Sequence, residues 1–105
     1  MAKLLPPVTP GEVLREEFLA PLGLSANKLG KALDVPTNRI TGIIKGDRSI
    51  TADTALRLAR CFNTSPEFWL NLQDLHDLEV AERASGKMIK KAVKPIQTEL
   101  ATVAA

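Results

Sequence analysis

The stretch LSANKLGKALDVPTNRITGIIKGDRSITADTALRLA, residues 24–59, decides the fold. Ser25 is a good N-cap, and Leu29, Ala32 and Leu33 follow at the i, i+3, i+4 spacing of a helix with one inward face. That helix is barely two turns long, and Asp34-Val35 makes the turn that ends it. Pro36 opens a second helix running to about Lys45, in which Ile40, Ile43 and Ile44 repeat the inward spacing and Gly46 closes the end. Two short helices joined by a tight turn bury one face each, so the second presents its other face to solvent. That outward set is Thr37, Asn38, Thr41, Gly42 and Lys45, with Arg39 at the flank. Short hydrogen-bonding and cationic side chains of this kind suit base edges and phosphates in a major groove, and no large acid interrupts them. The pattern predicts a helix-turn-helix that binds DNA, with Ser25, Lys28, Pro36 and Arg48 at its margins as further contacts.

Two glycines bear on that geometry. Gly30 follows core Leu29, where a missing side chain lets the next helix cross closely. Gly42 costs about 1 kcal/mol of helix propensity relative to alanine, which invites a reason such as close approach to DNA; the bland alternative is a tolerated surface glycine.

Working outward, Thr9-Pro10-Gly11-Glu12 reads as a helix start, with Thr9 as cap, Pro10 at the first helical position and Glu12 as the early acid. Val13, Leu14 and Phe18 supply its apolar face, and Pro21 is expected to end it near Leu19 or Ala20. Thr51 caps a fourth helix with a stripe of Ala55, Leu56, Leu58, Ala59 and Phe62, stopped by Asn63. Ser65-Pro66-Glu67 repeats the cap, proline and acid pattern for a fifth, which carries Phe68, Trp69, Leu72, Leu75 and Leu78. The expected fold class is all-α, a compact five-helix bundle with a C-terminal extension. Residues 1–8 are expected to form an N-terminal arm, 9–83 the domain, and 84–105 a tail for which Gly86 and Pro95 make disorder at least as favourable as a prolonged fifth helix or a short separate one.

Apolar residues spread around so much of the fifth helix that a second side must be buried somewhere. Phe68, Trp69, Leu72, Leu75 and Leu78 are therefore expected to form a two-fold dimer interface, although large aromatics at helical spacing are more often core than surface.

Charge sharpens the picture. The 105 residues carry a net charge of only +2. Residues 28–48, however, hold five cations against two acids, and residues 67–83 hold five acids against one cation. The lysines at 87, 90, 91 and 94 read as a solubilising tail. Cys61 is the single cysteine, so it can form no internal bridge and is expected to be an ordinary buried thiol in a reducing cytoplasm. His76, the single histidine, has no spacing to a nucleophile or to metal ligands, and the adjacent Glu16 and Glu17 point about 100° apart on a helix. No enzyme activity, cofactor, metal or small-molecule substrate is expected. No apolar run reaches the ~20 residues that span a bilayer, and MAKLLPPVTP is no signal peptide, so no membrane partner is expected either.

Three segments carry a resemblance to a known family: PGEVLREEFLAPLGLS (10–25), RSITADTALRLARCF (48–62) and TSPEFWLNLQDLHDLE (64–79). From Pro10 to about Glu79 the chain resembles the HigA/VapI-type antitoxins of the XRE helix-turn-helix superfamily. The resemblance implies a lambda-repressor-like fold and a dimer that represses its own operon on double-stranded operator DNA. It also implies neutralisation of a HigB-like, ribosome-dependent RNA-cleaving toxin. The acidic fifth helix and the Glu12, Glu16 and Glu17 face are candidate toxin surfaces, since an RNA-cleaving partner should be basic. Two departures stand out: Asp34 occupies the turn position where the superfamily usually has glycine, and Gly30 replaces a common alanine. The alternatives are a stand-alone XRE-type repressor without a toxin partner, and an interaction module that no longer binds DNA.

Overall fold

A computed structural model describes residues 6–96 as helices joined by short turns, with no strand among them. α1 is continuous but changes pitch, being α-helical over Pro10–Val13, π-helical over Leu14–Leu19 and α-helical again over Ala20–Leu22. α2 spans Ala26–Leu33, α3 Thr37–Lys45, α4 Ala52–Phe62 and α5 Pro66–Ala92. α2 packs on α3, α4 on α5, and α1 against both α3 and α5, while α2 also touches α4. The expected domain segments 1–8 and 84–105 extend, at 1–5 and 97–105, outside the described residues.

The boundaries follow local chemistry. Thr9, Ser25, Thr51 and Ser65 each accept a backbone N–H three residues on, from Glu12, Lys28, Thr54 and Phe68. Four helices close on left-handed residues: Gly23, Asp34, Gly46 and Asn63. Asp34, at φ 58°, adopts the conformation that glycine would take without strain.

α1 outruns the end expected at Leu19 or Ala20. In its π turn the Ala20 N–H reaches back to the Arg15 carbonyl, and Pro21, which has no N–H to offer, falls just where the ladder changes register. The helix survives the proline and stops at Gly23. The wide turn also brings Leu14 and Leu19, five residues apart, both into the core.

Leu14, Leu29, Ile40, Ile43, Leu58 and Trp69 are the large side chains fully buried at the centre, with Leu19, Leu33, Ile50, Ala55 and Ala59 around them. The Trp69 ring lies 4.8 Å from Phe18 and 5.0 Å from Phe68, and its Nε1–H donates to Thr64 Oγ1 at 2.8 Å. Trp69 is thus a core residue and is removed from the expected dimer face. Leu72 is half-buried against the same core, whereas Leu75, Leu78 and the edge of Phe68 face solvent. Ala32 and Leu56, expected inside, are exposed, and so is Cys61, because the face of α4 that carries Leu56 and Cys61 borders only a shallow groove.

α5 continues past the boundary expected near Glu82–Arg83, through Gly86, to Ala92. A β-carbon at Gly86 would meet the carboxyl end of Glu82, a flexible neighbour, so the glycine costs helix propensity without breaking the backbone. Gln73 is buried on α5: its Oε1 accepts the Ile50 N–H at 2.8 Å and its Nε2–H donates to Asp77 Oδ1 at 2.9 Å. The loop that follows α3 is thereby fastened to α5.

Candidate nucleic-acid interface

α3 buries Ile40 and Ile43 and half-buries Ile44, which fixes the rotation of the helix and hence the identity of its outer face. Two glycines set its position. A β-carbon at Gly30 would lie 3.0 Å from the Val35 carbonyl oxygen and 3.3 Å from Thr37 Cα, so the start of α3 seats directly on α2. A β-carbon at Gly11 would collide with the Ile43 carbonyl and come within 2.8 Å of Ile44 Cα, so the backbone of α1 seats on the end of α3. Gly30 was legible as a close crossing. Gly11 was read only as part of a helix start, because a long-range contact leaves no mark on local spacing.

On the outer face Asn38 and Lys45 are exposed, while Thr37, Arg39, Thr41 and Gly42 are half-buried. Thr37 Oγ1–H donates to Asn27 Oδ1 at 3.0 Å, which sets the first turn of α2, capped by Ser25 and carrying exposed Lys28, beside the first turn of α3. Pro36 is the residue before the helix, in extended geometry. Gly42 is covered from within the chain: a β-carbon there would lie 2.9 Å from both Cγ and Cδ of Arg48, so the compensating close approach is that side chain's stem. The sequence-expected residues thus converge on one surface, with Arg48 folded across its end.

Arg39 does not extend freely. Its Nη1–H donates to Asp53 Oδ2 at 2.8 Å, and the same oxygen accepts Arg57 Nε–H at 2.9 Å. Arg57 Nη1 in turn donates to the carbonyls of Leu33 and Asp34 at 2.8 and 3.2 Å, groups left without helical partners at the end of α2. The Arg57 hydrogen bond first, and the Arg39 bond second, hold the Asp53 carboxyl below the usual carboxylate range. Neither Asp53 nor Arg57 was singled out from sequence. Their i, i+4 spacing was a usable signal for the pair itself, but not for its link to Arg39.

His76 is half-buried and contacts Asp77 Oδ1 at 3.3 Å. Among the described residues no group of three or more His, Cys, Asp or Glu is placed to hold a metal ion, and no helix is long and apolar enough to cross a membrane.

The family model described as Helix-turn-helix matches residues 14–69. Virulence-associated protein I of Dichelobacter nodosus is 46% identical over 99 residues, covering 94% of this chain and 90% of its own. A solved addiction module antidote protein of a HigA family from Coxiella burnetii is 56% identical with a TM-score of 0.83, covering 88% of this chain and 100% of that one. The chain belongs to the HigA/VapI-type branch of the XRE helix-turn-helix family. This helix-turn-helix protein is also similar to the Pseudomonas aeruginosa antitoxin HigA solved with the higBA promoter, at 42% identity and a TM-score of 0.83 over 86% of this chain and 98% of that one. The all-helical fold expected from the spacing is the fold of these relatives.

Proposed function

We propose that this protein represses its own operon by laying α3 in the major groove of a palindromic operator as a dimer, and that it is the antitoxin of a HigB-like RNA-cleaving toxin. The observation that carries the reading is the outer face of α3. Five polar or cationic side chains, Thr37, Asn38, Arg39, Thr41 and Lys45, lie on one helix whose rotation the buried isoleucines fix. In this reading Asn38 and Arg39 reach base edges, Ser25, Lys28, Pro36, Lys45 and Arg48 meet the backbone and set register, and Gly42 lets the Arg48 stem lie across α3. A relative solved with promoter DNA supports it.

Pairing rests on α5, where Leu75 and Leu78 are 66% and 68% exposed beside the edge of Phe68, with Leu72 behind them. A two-fold axis there would give two copies of α3 for half-sites about 34 Å apart. The acids of α5 and of α1 are the surface we assign to a basic toxin. The role calls for no catalysis, and it belongs to the nucleoid of a bacterial cytoplasm.

The test is an electrophoretic shift with the DNA upstream of the protein's own reading frame, followed by growth rescue on co-expression with the neighbouring toxin gene. Arg39→Ala should relax specificity by about 1–3 kcal/mol, whereas Lys45→Ala should weaken all sequences alike and lower the salt slope by about 1. A specific shift without rescue would favour a stand-alone repressor. No specific shift at all would sink the DNA-binding reading. Leu78→Asp should sediment as a monomer at tens of micromolar; a wild type already monomeric there would overturn the dimer.

A further inference from the structure

Two helices of the DNA-reading unit meet at one carboxylate oxygen, and a third is tied to it through a shared guanidinium. Arg39 comes from α3, Asp53 from the first turn of α4, and Arg57, one turn further on, ties the pair to the carbonyl end of α2. We infer that Asp53 is a positioning residue that determines specificity: it holds the Arg39 guanidinium in the pose that reads a base pair. The inference rests on the DNA-binding reading of α3 given above.

Geometry supports this in three ways. A guanidinium has five N–H donors, and the bond to Asp53 is made by Nη1, so an edge remains for a two-point contact to a guanine. A long side chain anchored before binding loses less rotamer freedom when it meets its target, which favours the correct base over approximate ones. Charge is the third. A lone carboxylate beside a DNA-binding face would repel phosphates, but Asp53 stands between two guanidiniums, and the three-residue cluster keeps a net positive charge. Arg57 also stops Asp53 from swinging, since its own head is fixed on the Leu33 and Asp34 carbonyls. Asp53 also lines an open hollow, together with Arg39, Arg48, Ser49, Thr51 and Thr54.

The experiment uses the full chain and a labelled duplex carrying the sequence upstream of its own reading frame, with a panel in which each base pair is substituted singly. Asp53→Asn, which keeps shape and removes charge, should lower discrimination at the base pair that Arg39 reads by about ten-fold, while binding to random DNA does not weaken. Arg39→Ala should lose discrimination at the same position, and the double variant should lose no more than Arg39→Ala alone. Arg57→Gln, which leaves Asp53 in place but frees it, should give a smaller loss at that position and guards against a folding defect in Asp53→Asn. The inference is overturned if Asp53→Asn tightens binding to every duplex equally with discrimination intact, which is the result expected of a mere repelling charge. Additive losses in the double variant would overturn it too. A wild type with no preference for the upstream duplex over random DNA would instead overturn the reading of α3 on which this one stands.

Discussion

α3 and α5 each have a proline at their start, yet they are stabilised in opposite ways. α3 has nine residues and is gripped along its length, by its own isoleucines, by the backbone of α2 at Gly30 and by the backbone of α1 at Gly11. α5 has 27 residues, of which only Trp69 and Gln73 are buried, and past Asp77 its side chains are almost all exposed. The short helix is fixed by its neighbours along its length; the long one is buried only near its start. Placing base-reading side chains to within a fraction of an ångström needs the first arrangement, and offering a long surface to other molecules needs the second.

The largest expected effect breaks the fixed end of α5. Trp69→Ala removes the ring that meets Phe18 and Phe68 and leaves Thr64 without its donor, and should cost about 3–5 kcal/mol in a thermal or urea melt. A loss below about 1 kcal/mol would mean that the core is held elsewhere. Gly11→Ala should come next, since its new methyl meets backbone of α3 that has no rotamer to yield; overpacking of this kind costs about 1–3 kcal/mol. Because the displaced element is α3, operator affinity should fall by more than the stability loss explains.

A smaller effect concerns the tether on α3. Arg57 and Arg39 lower the folded pKa of Asp53, so its contribution is fully present above the unfolded carboxyl value and is lost as pH falls through the lower folded one. The stability difference between wild type and Asp53→Asn should therefore be flat from neutral pH down to the ordinary carboxylate range and vanish in stronger acid. A difference that changes between pH 6 and 8 would contradict the assignment. Smallest is Gly86→Ala, in the free half of α5, where the obstacle is the movable Glu82 side chain. It should add up to about 1 kcal/mol of local helix stability, visible as increased helicity by circular dichroism, and leave the main melt unchanged.

What could be read from sequence follows the same division. Ser25, Asp34, Pro36, Gly46, Thr51, Asn63 and Ser65 mark their boundaries because caps and left-handed residues act within three or four positions. The isoleucines of α3 gave its inner face by spacing alone, and so exposed its outer one. Periodicity could not tell that Trp69 enters the core while Leu75 and Leu78 do not, since all three sit on apolar stripes and only the partner elements distinguish them. It placed the end of α1 too early, because a proline that normally breaks a helix here coincides with a π turn. It also bounded the domain at residue 83, short of Gly86, a glycine whose cost the surrounding helix carries. At the site, the outward side chains were visible, while the Asp53 tether and the Gly11 seat depend on residues far apart in the chain. The antitoxin role came from resemblance and not from spacing.

Gln73 has a consequence for how the molecule breathes. The amide of Ile50 belongs to an irregular loop, the sort of place where protons normally trade with solvent within moments, yet it is capped by a buried side chain reaching from a helix 23 residues further along the chain. Its deuterium uptake should consequently be as slow as that of the central helices, and the loop behind α3 should open only when the whole domain does.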